Sequence, residues 1–195
     1  MISLIRYLRS IYSFPEAVRD YLEENLTEKK VAKKAYLLKP GQVCASVYFV
    51  SEGLLRSFYV KEDRDISTAF MKKGDICITI ESFFTQRYSQ EGIQAIEDSF
   101  VYYISYNALQ RLYRESEEFN RIGRVMIEQC YLRSAQRMTA MWMQRSEDRY
   151  DWLVNEAPEI VRRVPAKYLA SYLGITGAML RIIKRLKKKK ETRSL

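Results

Sequence analysis

The sequence predicts an α+β chain in three consecutive stretches: a strand-rich N-terminal unit, one long helix, and a C-terminal pair of short helices joined by a tight turn. Three observations carry this expectation. Between about Val31 and Ser105, short runs rich in Val, Ile, Phe and Tyr alternate with turn residues. From Glu117 to about Gln144 no proline occurs, and the single glycine, Gly123, does not interrupt a helical period. From Pro165 to Arg185, small, glycine and apolar positions fall in the register of two packed helices. The boundaries that follow are 1–116, 117–145 and 146–195.

At the N-terminus, MISLIRYLRSIYSF has the look of a signal peptide, but Arg6 and Arg9 interrupt it before an adequate apolar run accumulates. Leu4, Ile5, Leu8, Ile11 and Tyr12 recur at helical spacing, which predicts an amphipathic helix packed on the body. No segment approaches the roughly 20 apolar residues that a membrane span needs, so no membrane partner is expected and a cytoplasmic location is the default. A hydrophobic fraction of 47% over 195 residues is sufficient for a folded core.

In the strand-rich unit the runs are Val47 to Val50, Leu54 to Val60 and Val101 to Ile104. Pro40-Gly41, Glu52-Gly53, Glu62-Asp63 and Gly74-Asp75 supply turns at intervals of roughly ten residues, the texture of an antiparallel sandwich or barrel. Tyr48, Phe49, Phe58, Tyr59, Phe70, Phe83 and Phe84 either fill that core or line an apolar ligand pocket.

Along the long helix, Ile122, Val125, Gln129, Leu132, Gln136, Thr139 and Met143 sit at alternating three- and four-residue steps, the spacing of a coiled-coil seam. Two glutamines and a threonine make it a weak seam alone, so a homodimer supported by other contacts is the expectation. The alternative is a helix laid over its own sandwich. Ser146 is placed to cap a short helix through Trp152, and Ala157-Pro158 marks its end.

In PAKYLASYLGITGAMLRIIKR, Pro165 suits the first turn of a helix, Leu169 and Leu173 share one face, and Ala170 is small where a second helix must cross. Gly174 supplies a positive φ, Ile175 fills the corner and Thr176 caps the next helix, whose Leu180 and Ile183 return to the shared core. An ordinary pair of packed surface helices is the competing explanation. Ile160 to Leu195 holds 11 Lys and Arg against one acid, a net of +10 in a chain of +9, so the preceding residues net −1. A basic end on a near-neutral body is the electrostatic footprint of a polyanion binder.

Opposite Leu180 and Ile183 lie Gly177, Ala178, Arg181, Lys184, Arg185 and Lys188, with Ile182 at the margin. Arg181 and Arg185 are the candidates for reading guanine edges, and Thr176 for a phosphate contact. Lys167, Lys187 and Lys188 complete the expected DNA-binding set. The run Lys187 to Lys190 is a phosphate-neutralising or disordered tail, and roughly 6–10 phosphate contacts would make affinity fall on the order of a thousandfold with rising salt.

The chain has no histidine, which removes histidine-based triads, metal sites and haem ligation. Cys44, Cys77 and Cys130 are odd in number and far apart; they give neither a disulfide framework nor zinc or iron–sulfur spacing, and are read as free thiols or, alternatively, a redox sensor. Glu81, Glu97 and Asp98 have no evident nucleophile or base beside them. No catalytic residue, metal or cofactor is therefore expected.

In this order, Lys39-Pro40-Gly41, VYFVSEGLLRSFY from Val47 to Tyr59, Gly74-Asp75, IQAIEDS from Ile93 to Ser99 and the C-terminal motif resemble the CRP/FNR family of bacterial transcription regulators over nearly the full length. The resemblance implies a double-stranded β-roll sensor in residues 1–116, resembling a cyclic-nucleotide-binding domain, a dimerisation helix in 117–145 and a helix-turn-helix with little or no wing in 146–195. It implies double-stranded DNA, a second copy, an unidentified small effector and RNA polymerase as partners.

Three departures qualify it. Members that bind cyclic nucleotides carry a Gly-Glu pair for the ribose and an Arg-Ser pair for the phosphate; the corresponding positions here are Ile78-Thr79 and Gln90-Glu91, and Glu91 would repel a phosphate. Cyclic AMP is accordingly not the expected effector, and the four residues are the candidate ligand contacts. Members with an iron–sulfur cluster use several cysteines near the N-terminus, whereas the first here is Cys44. Where familiar members place Arg-Glu and a further Arg in the recognition helix, this chain has Gly177, Ala178 and Ile182. Two functions are thus expected to compete: a dimeric sequence-specific regulator, and an interaction protein that keeps the fold but binds nucleic acid or an acidic partner only nonspecifically through its basic end.

Overall fold

The computed structural model describes residues 2–142 and 145–193, with the side chains of 3 and 188–193 outside that description. The chain opens with α1 (Ile2–Ile11), which buries Leu4, Ile5 and Leu8 as their spacing predicts. A second helix, α2 (Glu16–Asn25), follows and buries Val18 and Leu22; the sequence reading did not anticipate it.

Eight strands then build two four-stranded antiparallel sheets. One has the order β1 (Thr27–Val31), β8 (Ser99–Ser105), β3 (Ser46–Glu52), β6 (Ile76–Cys77); the other β2 (Tyr36–Leu38), β7 (Glu91–Ala95), β4 (Leu54–Lys61), β5 (Arg64–Lys72). The four expected turns all carry left-handed residues. Glu62 and Asp63 have φ of 50° and 59°, the geometry whose twist matches a tight hairpin between β4 and β5. At Gly53 a Cβ would lie 2.2 Å from Ser99 Oγ and 2.7 Å from the Asp98 carbonyl, so the close approach of the two turns requires glycine. Val50, Leu55, Phe83, Ile93 and Val101 close the core between the sheets. A short helix, α3 (Ile80–Thr85), bridges β6 and β7.

Two serines start the next two helices. Ser105 Oγ accepts from Ala108 N at the head of α4 (Tyr106–Glu115), and Ser116 Oγ accepts from Phe119 N at the head of α5 (Glu117–Met141). The first half of α5 lies on the sheets and α1. Ile122 is fully buried there, and Gly123 admits the Tyr113 side chain, whose hydroxyl a Cβ would meet at 2.5 Å and whose ring at 2.6 Å.

Four helices complete the chain: α6 (Ser146–Glu156), α7 (Pro158–Arg163), α8 (Ala166–Tyr172) and α9 (Gly177–Arg193). The expected cap at Ser146 is corrected, because Arg145 holds the N-cap position without a side-chain bond and Ser146 is already helical. Ala157-Pro158 does end α6, but Pro158 also starts α7, for which its fixed φ is suited. These helices share a second core, in which Leu153, Ile160, Leu169, Leu173, Leu180 and Ile183 pack together and reach Leu54 and Ile96 of the β-roll.

Candidate nucleic-acid interface

Helices α8 and α9 meet through a turn whose local chemistry follows the sequence. Pro165 stands just outside α8, its carbonyl accepting from Tyr168 N and Leu169 N. Leu169, Ala170 and Leu173 are buried at the crossing, and Gly174, with φ of 63°, breaks the helix. Ile175 N then donates to the Ala170 carbonyl at 3.0 Å, which folds the corner back. Thr176 Oγ1 accepts from Met179 N at 3.1 Å and caps α9. Leu180 and Ile183 point into the shared core, each 1% exposed.

The opposite face of α9 is open. Gly177, Ala178, Arg181 and Arg185 are exposed, and Lys184 is half-buried. Lys167 is exposed on α8, with Nζ 5.9 Å from the centre of the Tyr168 ring. Lys167, Thr176, Gly177, Arg181 and Lys184 line one open cleft of about 1390 Å³, whose other wall includes Asp63 and Asp65 of the β4–β5 hairpin. Arg185 lies outside that cleft. Lys187 is corrected from a free tail residue to a structural one, because its Nζ pairs with the Asp151 carboxylate of α6. The side chain of Lys188 is outside the described residues.

This unit rests on the β-roll through polar groups that the sequence reading missed. Arg56, in the middle of β4, is 1% exposed; it donates to Gln94 Oε1 at 2.7 and 3.0 Å and to Asp65 Oδ2 at 2.8 Å. Its guanidinium lies 3.7 Å from the centre of the Tyr168 ring of α8. Ser67 N donates to Ser171 Oγ, and Ser171 Oγ to Ser67 Oγ, both at 3.2 Å. Arg137 of α5 donates to the carbonyls of Ser67 and Tyr172. At the far end, Arg163 reaches both Glu97 oxygens at 2.6 and 3.1 Å and the Gly53 carbonyl at 3.0 Å. Hydrogen bonds donated to Glu97, ahead of the one donated to Glu159, hold the Arg163 guanidinium above its usual pKa against the opposing effect of burial. Hydrogen bonds from Lys72 and Arg163 hold the Glu159 carboxyl below the usual carboxylate range.

The candidate ligand residues divide between two recesses. Thr79, Gln90 and Glu91 line one of about 310 Å³, with Glu81 and Arg87. Ile78 and Glu91 line the other, of about 350 Å³, beside Arg133 and Arg137 of α5 and Tyr172 of α8. Thr79 Oγ1 and Thr68 Oγ1 are buried without a hydrogen-bond partner among the described residues. Burial raises the pKa of Tyr172, against an opposing effect of Arg137.

The seam residues on α5 also divide. Ile122 is corrected from an intersubunit position, since it is 0% exposed in the core of its own chain. Gln129 is exposed and accepts from the Tyr7 hydroxyl of α1 at 3.3 Å, Val125 is half-buried, and Leu132 and Gln136 face solvent. Met143 is outside the described residues. The exposed apolar stripe is instead Tyr131, Met138 and Trp142, aligned with half-buried Ala135 at steps of four, three and four residues.

Among the described residues no helix is long and apolar enough to cross a membrane, and no cluster of potential metal ligands occurs. Residues 28–116 match the cyclic nucleotide-binding domain family. No curated protein sequence matches the chain. Among solved structures, a protein from Eubacterium rectale described as a transcriptional regulator of the crp/fnr family superposes with a TM-score of 0.73 at 14% identity, covering 91% of this chain and 85% of that one. FixK2 from Bradyrhizobium japonicum gives 0.70 at 19% identity, covering 87% and 86%. The c-di-GMP-responsive global regulator CLP of Xanthomonas campestris gives 0.69 at 17%, covering 90% and 93%. Residues 28–116 thus match the cyclic nucleotide-binding domain family, on a chain that has the overall fold of the CRP/FNR-type transcription regulators.

Proposed function

We propose that the chain is a homodimeric DNA-binding transcription regulator of CRP/FNR type that does not respond to cyclic AMP. The observation that carries the reading is the Thr176-capped α9, set after a left-handed Gly174 and presenting Arg181 and Arg185 to solvent opposite a buried Leu180 and Ile183. This is the helix-turn-helix arrangement in which the second helix enters a major groove. The test is selection of bound duplexes from a random pool by the purified chain at near-physiological salt. An enriched two-fold symmetric site is the expected result. Charge reversal at Arg181, Lys184 and Arg185 together should abolish binding; unchanged binding would overturn the assignment.

The homodimer reading rests on the Tyr131, Met138 and Trp142 stripe together with Leu132, which a second α5 would cover. Sedimentation as a monomer at micromolar concentration would remove it. The exclusion of cyclic AMP rests on the recess itself, where Glu81 and Glu91 stand beside Arg87, the one cation lining it among the described residues, and Thr79 replaces an acid for the ribose. Calorimetry with cyclic AMP should show no heat of binding.

A second reading is favoured by one observation. Gly177 has nothing within 4 Å of where a Cβ would be, and Ala178 is short, so the first turn of α9 has no long hydrogen-bonding side chain. On that reading the fold persists while nucleic acid is bound through charge alone. Binding without sequence enrichment, lost as salt rises, would establish it.

A further inference from the structure

The outward face of α9 is only half basic. Met179, Ile182 and Leu186 are 42%, 44% and 43% exposed, at steps of three and four residues, and they flank the exposed Arg181 and Arg185. Large apolar side chains in a row on a helix that already buries Leu180 and Ile183 call for an occupant. Charge complementarity names one: Arg181 and Arg185 stand beside the stripe on α9, Lys167 and Lys184 line the cleft that Met179 borders, and none of the four is ion-paired among the described residues. A polyanion is what such a surround attracts.

The first turn of α9 offers base edges no long hydrogen-bonding side chain. Gly177 has no side chain, Ala178 has a methyl group, and the short Thr176 hydroxyl, engaged as acceptor by Met179 N, keeps only its O–H to donate. What the turn offers a base edge is the Ala178 methyl, the Met179 thioether and the Ile182 side chain. In the major groove the one base-edge group that rewards apolar contact is the 5-methyl of thymine.

We infer that this helix reads thymine methyl groups through Ala178, Met179 and Ile182, with Arg181 and Arg185 fixing the register on the backbone or a neighbouring base, so that each half-site contains thymine at the positions these residues cover. The inference rests on the regulator reading above and supplies its specificity. It also replaces the guanine-led readout that the arginines alone suggest.

The experiment takes the duplex enriched by the full chain and replaces each thymine, one at a time, with deoxyuridine. This removes the methyl group and keeps every hydrogen-bonding group. At one or more thymines per half-site, affinity should fall about fourfold, the effect of one buried methyl group. Ile182→Ala and Met179→Ala, both at exposed positions that leave the core intact, should erase that response while the wild-type chain retains it. If deoxyuridine changes nothing at any position of an enriched site, the inference is wrong and the regulator reading stands. If Ile182→Ala changes sedimentation but not the methyl response, the stripe is a contact between copies and the inference is again wrong. If no duplex is enriched at all, the regulator reading itself fails.

Discussion

The core of the β-roll is held by apolar contact, whereas the seam beneath the C-terminal helices adds a hydrogen-bonded network to the apolar contacts of Leu54 and Ile96. In the core, Val50, Leu55, Ile93, Val101 and Ile122 are fully buried and need no orientation to be stabilising. In the seam, Arg56, Gln94, Ser67, Ser171 and Arg137 are joined by hydrogen bonds with defined partners, edged by the Arg163 to Glu97 pair. Apolar contact tolerates small displacements, whereas a network of this kind is satisfied in one arrangement and costly when partly broken. The seam therefore fixes how the α6 to α9 unit sits on the sheet, and the core fixes that the sheet exists.

That contrast can be broken at either side. Ile93→Ala should be the most damaging change, lowering stability by about 4 kcal/mol because it opens a cavity among fully buried neighbours; chemical denaturation should show the whole chain losing structure together. Arg56→Ala should cost about 3 kcal/mol, somewhat below a fully buried pair because Asp65 is 31% exposed. Its signature is different: the calorimetric transition should split, with the C-terminal helices released before the β-roll melts. A single unsplit transition would mean that the seam is not what couples the two units.

Smaller changes sharpen the comparison. Thr176→Ala removes the α9 cap and should cost about 1 kcal/mol, with hydrogen exchange increasing at Met179 and Leu180 while the β-roll amides are unaffected. Ser171→Ala deletes the acceptor for Ser67 N and the bond to its hydroxyl, for a loss of about 1 kcal/mol at the seam, read in the same exchange experiment at Ser67. A separate test lies in the core's response to alkali. Burial pushes the Tyr48 phenol from 10.0 up to about 12, so the folded chain holds a proton that the unfolded chain releases. Stability from this group is complete below pH 10 and is lost as pH climbs through about 12. Cys77, Tyr113 and Tyr172 shift in the same direction, also through burial. Thermal melts from pH 9 to 12 should show the decline, and Tyr48→Phe should flatten part of it.

The parts of this fold that were legible in the sequence are those fixed by near neighbours. Glycines and acidic pairs announced the turns because a left-handed residue is a local demand, and Thr176 announced the start of α9 for the same reason. The two serine caps at Ser105 and Ser116 were there to be read as well, each three residues before the N–H it satisfies, but neither α4 nor α2 was anticipated. Arg56 lies in a strand run whose pattern gives no sign of its burial. Its side chain leaves the sheet on the face that α8 covers, a helix more than 100 residues further along the chain, and no local pattern records that cover. The stripe on α5 escaped for a related reason. The seam drawn through Ile122 and Gln129 follows a sound period, yet Ile122 is buried in the core of its own chain and Gln129 bonds to Tyr7 of α1, and the exposed apolar face is rotated toward Tyr131, Met138 and Trp142.

Leu55 and Arg56 are consecutive residues of β4, and the pleat sends one between the sheets and the other under the C-terminal helices. A slip of one residue against β5 or β7 would exchange them, driving a guanidinium into the hydrocarbon interior and leaving Tyr168 facing a leucine. A single choice of strand register thus decides two assemblies at once. Because β2, β4, β5 and β7 all precede Ser146 in the chain, a ribosome finishes the platform before it makes the helices that land on it, and an error in the first would be inherited by the second.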